Sequence, residues 1–414
     1  MNIVKASALT SISTVIKVIS GIIINKAIST FVGPSGLAVV GQFQNASVII
    51  QIIASGGISN GVVKYTAENE DSKKLWSTAL KLTLYSSVVV SLILFVFSEK
   101  LSIIFFSQPR FYFVFAIFAL TLVFFSINQL LLNVISGLGD VKSYTLINII
   151  QSIYSLIFTT ALIVFFNING ALIAMVTNQS VVLIFVLWKL RNNKKIIFGD
   201  FLGSYCKDHA KKLLKYSAMS FFAAISLPIS LMIIRNYIGA NLSWDYAGYW
   251  QAMNYISTMY LMIITTVLSV YYLPKLSSIN KKKDLVIEIR KTSFFLVPLA
   301  IILASSIYLL KAFIVFFMFN SDFNAMLVLF KWQLIGDVIK VSACLLSYIM
   351  LAKAMTKTFI ITEILSAISL AFFSILFAKI YGFVGLSYAY SISNLLYFFI
   401  ILAVICFYFK SSEV

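Results

Sequence analysis

Charge is scarce in this chain of 414 residues: 11% are Asp, Glu, Lys or Arg, and only 14 are acidic. A soluble domain is about a quarter charged, so this chain has too little charge to coat a water-soluble globule of its size. Histidine occurs once, at His209, and cysteine three times, at Cys206, Cys344 and Cys406, far apart and odd in number. That spacing gives no disulfide framework and no CxxC metal pair. A single histidine argues against a His-rich zinc site and against the common hydrolytic enzymes. No G-x-x-x-x-G-K-[ST] stretch is present, so the chain carries no nucleotide-driven motor of its own. No cofactor and no metal are expected, and long polar domains are missing.

What is present is apolar. The chain is 61% hydrophobic and 15% aromatic, with a mean hydropathy of +0.98. A disordered chain needs the opposite composition, which leaves the membrane as solvent. Crossing the hydrocarbon core takes about 20 apolar residues. Twelve stretches qualify: 8–31, 38–62, 77–97, 113–137, 144–166, 171–189, 216–238, 247–273, 294–317, 327–351, 359–380 and 386–409. The connections are short except 190–215 and 274–293. The net charge of +18 would suggest nucleic acid in a soluble protein, but Lys and Arg collect in cytoplasmic loops of membrane proteins. With the N-terminus inside, the inner segments hold 23 of the 32 basic residues and the outer ends 6. Both termini are therefore expected in the cytoplasm. Lys17 interrupts the first apolar stretch and no cleavage site follows, so that stretch reads as a retained span.

Shifting the chain by about 210 residues aligns its halves. Lys5-Ala6-Ser7 meets Lys215-Tyr216-Ser217, Lys26 meets Arg235, and Lys64 meets Lys275. Gly170-Ala171-Leu172 meets Gly382-Phe383-Val384. Six spans per half insert in the same orientation, so the repeat is parallel. The expected fold is an all-α membrane protein with twelve transmembrane helices in two pseudo-symmetric six-helix bundles around a central cavity. The expected domains are 1–200 and 216–414, joined by the basic linker 190–215. Parallel repeats of this kind build alternating-access transporters. Within the linker, residues 201–215 could form an amphipathic helix on the inner leaflet.

Ionisable residues within spans mark candidate sites, because each costs about 2.5–3.5 kcal/mol at the bilayer centre. Lys17 lies roughly 4 Å from the middle of span 1. Asp337 and Lys340, three apart, share a helix face in span 10 and can pair. They are either a buried structural pair or a pair that switches partners during transport. Lys26 and Arg235 sit at matching positions in the two halves, where each either snorkels outward as an anchor or joins a cationic patch suited to phosphate. Glu363 in span 11 is a proton or cation site or a partner of Lys353 or Lys357, and Lys331 reads as a snorkelling residue. Pro228 and Pro298 should kink their helices. Bases outnumber acids in this set, so the expected ligand is a bulky anion.

Several stretches carry a family resemblance: Phe31-Val32-Gly33-Pro34-Ser35-Gly36-Leu37, Gly61-Val62-Val63-Lys64-Tyr65, Ser243-Trp244-Asp245, Gly248-Tyr249-Trp250-Gln251 and Tyr272-Leu273-Pro274. The most specific runs from Trp332 to Lys340, Trp-Gln-Leu-Ile-Gly-Asp-Val-Ile-Lys. Over essentially the whole chain the sequence resembles the Wzx-type flippases, the translocases of O-antigen and enterobacterial common antigen repeat units. They belong to the multidrug/oligosaccharidyl-lipid/polysaccharide exporter superfamily. The resemblance implies two bundles of six helices in the bacterial inner membrane and an undecaprenyl-pyrophosphate-linked glycan as substrate. It also implies surrounding membrane lipids and the pathway's polymerase and chain-length regulator as partners. Lys17, Lys26, Arg235, Asp337, Lys340 and Glu363 match the family's charged positions. On this reading Lys17, Lys26, Arg235 and Lys340 bind substrate, while Asp337 and Glu363 serve coupling or a structural ion pair.

A multidrug or cation antiporter of the same superfamily is the alternative, although it should carry more buried acids than bases. A membrane-embedded glycosyltransferase or polymerase would need a carboxylate or Arg cluster in a large outer loop. Glu99, Asp245 and Asp322 instead stand apart in short ones. A scaffold or channel has no feature in its favour.

Overall fold

The computed structural model describes residues 3–68, 72–191, 196–279 and 281–411, and among them there is no strand. Six helices open the chain: α1 (Ile3–Phe31), α2 (Gly33–Ala54), α3 (Ser59–Ala67), α4 (Ser72–Val96), α5 (Ser98–Phe106) and α6 (Tyr112–Gly137). The long α7 (Val141–Leu190) completes the first half. The second half begins with α8 (Lys207–Asn241), α9 (Trp244–Val267), α10 (Leu273–Ser278) and α11 (Lys282–Leu309). It ends with α12 (Lys311–Met318), α13 (Phe330–Ala352), α14 (Thr356–Tyr381) and α15 (Gly385–Ser411). Nine helical stretches among the described residues are long and apolar enough to cross a membrane. Two of them, Val141–Leu190 and Thr356–Lys410, are double crossings. With α9, whose inward polar side chains lower its hydropathy, the twelve spans read from the sequence are all present as helices.

The repeat is visible element by element. In each half a long helix (α4, α11) gives way to a short one (α5, α12), then to a 3-10 turn (Pro109–Phe111, Ser321–Leu329), then to a long helix (α6, α13). The corners that follow also match. Asn167 inside α7 has φ 50° and ψ −131°, and Gly382 between α14 and α15 has φ 62° and ψ −143°. Three residues later in each case stands a glycine without room for a side chain. A Cβ on Gly170 would lie 1.9 Å from the Leu162 carbonyl oxygen, and one on Gly385 would lie 2.0 Å from that of Phe377. The structural register therefore pairs Gly170 with Gly385, three residues beyond the sequence alignment with Gly382.

Two spans differ from their expected outline. Span 2 is broken at Ser55–Ile58, where Gly56 and Gly57 both take φ 64°, so α3 is a separate helix packed on α6. Its counterpart in the second half passes from α9 to α10 through a π-turn at Leu268–Tyr272, just before Pro274. The helix containing Pro228 and the one containing Pro298 both continue through their prolines.

Contacts divide the chain into two compact units, Met1–Val32 with Val39–Pro228, and Gly33–Ala38 with Ile229–Val414. The divide falls at Pro228 inside α8, where the proline removes a helical hydrogen bond. In the first unit Ile58, Trp76, Leu131 and Leu213 belong to one buried cluster. Residues 201–215 are not one amphipathic helix. Phe198–Leu202 is a 3-10 turn, and the segment after it docks on α4. The Phe201 ring stacks on Trp76 at 5.4 Å, Ser77 Oγ donates to the Ser204 carbonyl at 2.9 Å, and Lys81 Nζ donates to the Gly203 carbonyl at 2.8 Å. Lys73 and Asp200 form an ion pair at 3.3 Å. Residues 192–195 of the linker lie outside the described residues. In the second unit the family stretch Gly33-Pro34-Ser35 meets Ser243-Trp244-Asp245: the Ser35 amide donates to Asp245 Oδ1 at 3.1 Å. Asp245 thus places a negative charge at the N-terminus of α2, the favourable end of the helix dipole.

Candidate functional site

The densest buried polar network lies within the second unit, where α9, α13 and α15 meet. Two helical stripes build it. On α9, Asn254, Ser257 and Tyr260 recur at intervals of three, and on α13 Gln333 and Asp337 are four apart, so each set lies on one face. Asp337 is fully buried at 0% exposure. Its Oδ2 accepts from Ser257 Oγ at 2.7 Å and from Tyr260 Oη at 2.8 Å. Its Oδ1 accepts from Tyr390 Oη of α15 at 2.7 Å. Gly336 makes this possible, because a Cβ there would lie 2.5 Å from the Tyr390 ring. Gln333 extends the network, donating from Nε2 toward Asn254 Oδ1 and Ser257 Oγ, each at 3.4 Å.

Lys340 does not pair with Asp337. The ion pairs among the described residues are Lys64–Glu68 and Lys73–Asp200, both outside the network. The Lys340 ammonium instead sits 5.8 Å from the centroid of the Tyr390 ring, the ring whose hydroxyl holds Asp337. The tyrosine bridges the two charges, which replaces the direct contact expected from their i, i+3 spacing. Lys340 also lines a pocket of about 190 Å³ with Thr258, Thr265, Val341 and Cys344. The π-turn contributes Leu268 to the same wall. A π-turn inside an otherwise regular helix often accompanies a functional site.

Glu363 on α14 is half-buried and accepts from the Tyr397 hydroxyl of α15. Of its expected partners, Lys353 donates to the Ile279 carbonyl. Arg235 is buried at 1% exposure, so it is not a snorkelling anchor. Its guanidinium donates to Gln251 Oε1 and lies 5.7 Å from the Trp250 ring. Both partners come from the Gly248-Tyr249-Trp250-Gln251 stretch of α9. In the first unit, Lys17 is exposed and Lys26 half-buried on α1.

The arrangement suits charge handling. Hydroxyls both donate and accept, so Ser257, Tyr260 and Tyr390 can serve Asp337 as a carboxylate or as a carboxylic acid. A buried carboxylate without such donors would be costly. Among the described residues no group of three His, Cys, Asp or Glu side chains could hold a metal ion. The hydroxyl cage went unread in the sequence, although its signal is there: Asn254-x-x-Ser257-x-x-Tyr260 is a polar stripe inside an apolar span.

Comparison with known proteins places the chain. A family model described as "Polysaccharide biosynthesis protein" matches residues 3–280. The lipid III flippase of Escherichia coli (strain K12) is 28% identical over 402 residues, covering 96% of this chain and 97% of that one. Among solved structures, the inward-facing conformation of a multidrug resistance MATE family transporter of the MOP superfamily superposes with a TM-score of 0.77. Its identity is 14%, and the match covers 94% of this chain and 95% of that one. A MOP superfamily transporter from Pyrococcus furiosus, described as having a binding pocket of reversed polarity, gives 0.71 at 14% identity over 97% and 96%. The structural likeness establishes the twelve-helix, two-bundle membrane fold, and the match over residues 3–280 makes the chain a member of the polysaccharide biosynthesis protein family.

Proposed function

We propose that this protein is a flippase. It moves an undecaprenyl-pyrophosphate-linked oligosaccharide, an O-antigen or enterobacterial common antigen repeat unit, from the inner to the outer leaflet of the bacterial inner membrane. The observation that carries this reading is the end-to-end similarity to a lipid III flippase. The excess of basic over acidic candidates agrees with a pyrophosphate ligand. Both termini lie in the cytoplasm, in line with the distribution of Lys and Arg. No catalytic step on the glycan is involved. The polymerase and chain-length regulator of the same pathway are the partners that would receive the product.

Lys17, Lys26, Arg235 and Lys340 supply the cationic contacts to the pyrophosphate. Arg235 is buried in this conformation against Gln251 and Trp250, so its contact with the pyrophosphate belongs to a state in which that cover opens, where a guanidinium fork suits two phosphate oxygens. Asp337, with its hydroxyl cage, and Glu363, with Tyr397, form the coupling elements on either side of Lys340. An anion drawing on the Lys340 ammonium alters the field at both carboxyl groups, which ties substrate binding to their protonation. Access alternates between the two leaflets. A multidrug antiporter shares the fold, and the buried Asp337 is the residue in its favour, but the relative that matches end to end is a flippase.

The test is complementation of a strain deleted for its own lipid-linked oligosaccharide flippase, scored by surface polymer. Wild type restores polymer, while Arg235→Ala and Lys340→Ala at normal membrane level do not. Full polymer from both variants would remove these residues from the mechanism. No polymer from wild type, across strains with different repeat units, would remove the function.

A further inference from the structure

The second unit holds another cavity, which the function above does not use. A groove of about 550 Å³ runs between α11 and α13, walled by Ile301, Ala304, Leu334 and Ile335. Tyr308 and Lys331 stand at one end, and Ile339 at the other. From Lys331 to Ile339 the helix rises about 12 Å, less than half of the roughly 30 Å hydrocarbon thickness. The groove is therefore confined to one leaflet, the outer one if the termini are cytoplasmic.

Two ammonium groups belong to that end, Lys331 as a lining residue and Lys311 through its contact with the lining Tyr308. Lys331 Nζ lies 5.7 Å from the Trp332 ring, and Lys311 Nζ lies 4.3 Å from the ring of Tyr308, a wall residue. A lone snorkelling lysine explains neither the second cation nor the apolar recess beneath it. Two cations over a hydrocarbon-lined groove complement a chain that ends in a pyrophosphate. The single phosphodiester of an ordinary phospholipid matches only one of them.

We propose that this groove seats the pyrophosphate-proximal end of the polyprenyl chain once the headgroup has left Lys17, Lys26, Arg235 and Lys340 for the outer leaflet, with Lys311 and Lys331 against the pyrophosphate at that stage. The proposal rests on the flippase reading and assigns the tail a place which that reading does not require.

The test uses the purified full chain and native mass spectrometry, with undecaprenyl pyrophosphate and phosphatidylglycerol as separate probes. Ser305→Trp fills the groove from an exposed position on its wall. Lys311→Ala/Lys331→Ala removes both cations. Ile302→Trp, 62% exposed and not part of the wall, is the control. The first two variants should lower bound undecaprenyl pyrophosphate at least fivefold and leave phosphatidylglycerol unchanged, while the control matches wild type. Wild-type binding by Ser305→Trp overturns the groove assignment and leaves the flippase reading standing. An equal loss of phosphatidylglycerol also overturns it, making the groove a phospholipid seat. Failure of the wild-type chain to bind undecaprenyl pyrophosphate overturns both readings.

Discussion

Asp337 is held by three hydroxyls from two helices, and its nearest lysine lies over the ring of one of them. Tyr390 therefore has two separable roles. Tyr390→Phe keeps the ring under Lys340 and removes one donor from a buried carboxyl. Leaving a buried polar group short of a partner costs about 1–3 kcal/mol, so this variant should show a lowered thermal midpoint with the protein still folded. Tyr390→Leu removes both and should lower it further. Equal midpoints for the two variants and wild type would show that the hydroxyl carries no weight. Asp337→Asn keeps the shape of the side chain but ends its ability to exchange a proton. Transport should fall at least tenfold, about 1.4 kcal/mol, at unchanged membrane level. Wild-type transport by Asp337→Asn would exclude it from coupling.

The corners between helices carry their own prediction. Asn167 takes a backbone conformation that suits glycine, and the equivalent position in the other half is Gly382. A residue held in such a region costs of order 1–3 kcal/mol. Asn167→Gly should therefore raise the thermal midpoint. Gly385→Ala would push a methyl to 2.0 Å from the Phe377 carbonyl oxygen and should lower it by a larger amount. A neutral Gly385→Ala would contradict the close packing at this corner. These corners also show which features are legible in the sequence and which are not. The twelve spans were legible because a bilayer demands long apolar stretches and little else competes with that signal. The register of the repeat was read three residues out at Gly170, since the second half offers both Gly382 and Gly385 and the sequence does not reveal which of them faces a carbonyl. The break in span 2 was missed because Gly56-Gly57 lies within an apolar run. Charges stand out in such a sequence, so Asp337, Lys340 and Arg235 were found. Of their partners, Trp250 and Gln251 stood in a family stretch without a role, and Tyr260 and Tyr390 were not singled out, because a tyrosine in a span looks like any other core aromatic until the helices are packed.

At the scale of the whole molecule, a chain so poor in charge keeps lysines and an arginine within its spans. Each is costly in hydrocarbon, and the anionic cargo proposed above gives a reason to retain them. Under the proposed function, residues that bind the cargo should matter for transport and little for folding, which would separate Lys340 from the corner residues. The most direct measurement is transfer of a fluorescent polyprenyl-pyrophosphate oligosaccharide across liposomes holding the purified protein. Wild type should transfer it without scrambling phospholipid, and Lys340→Ala should be at least tenfold slower. No transfer by wild type, or transfer equally fast for an uncharged polyprenyl glycan lacking the pyrophosphate, would contradict the account.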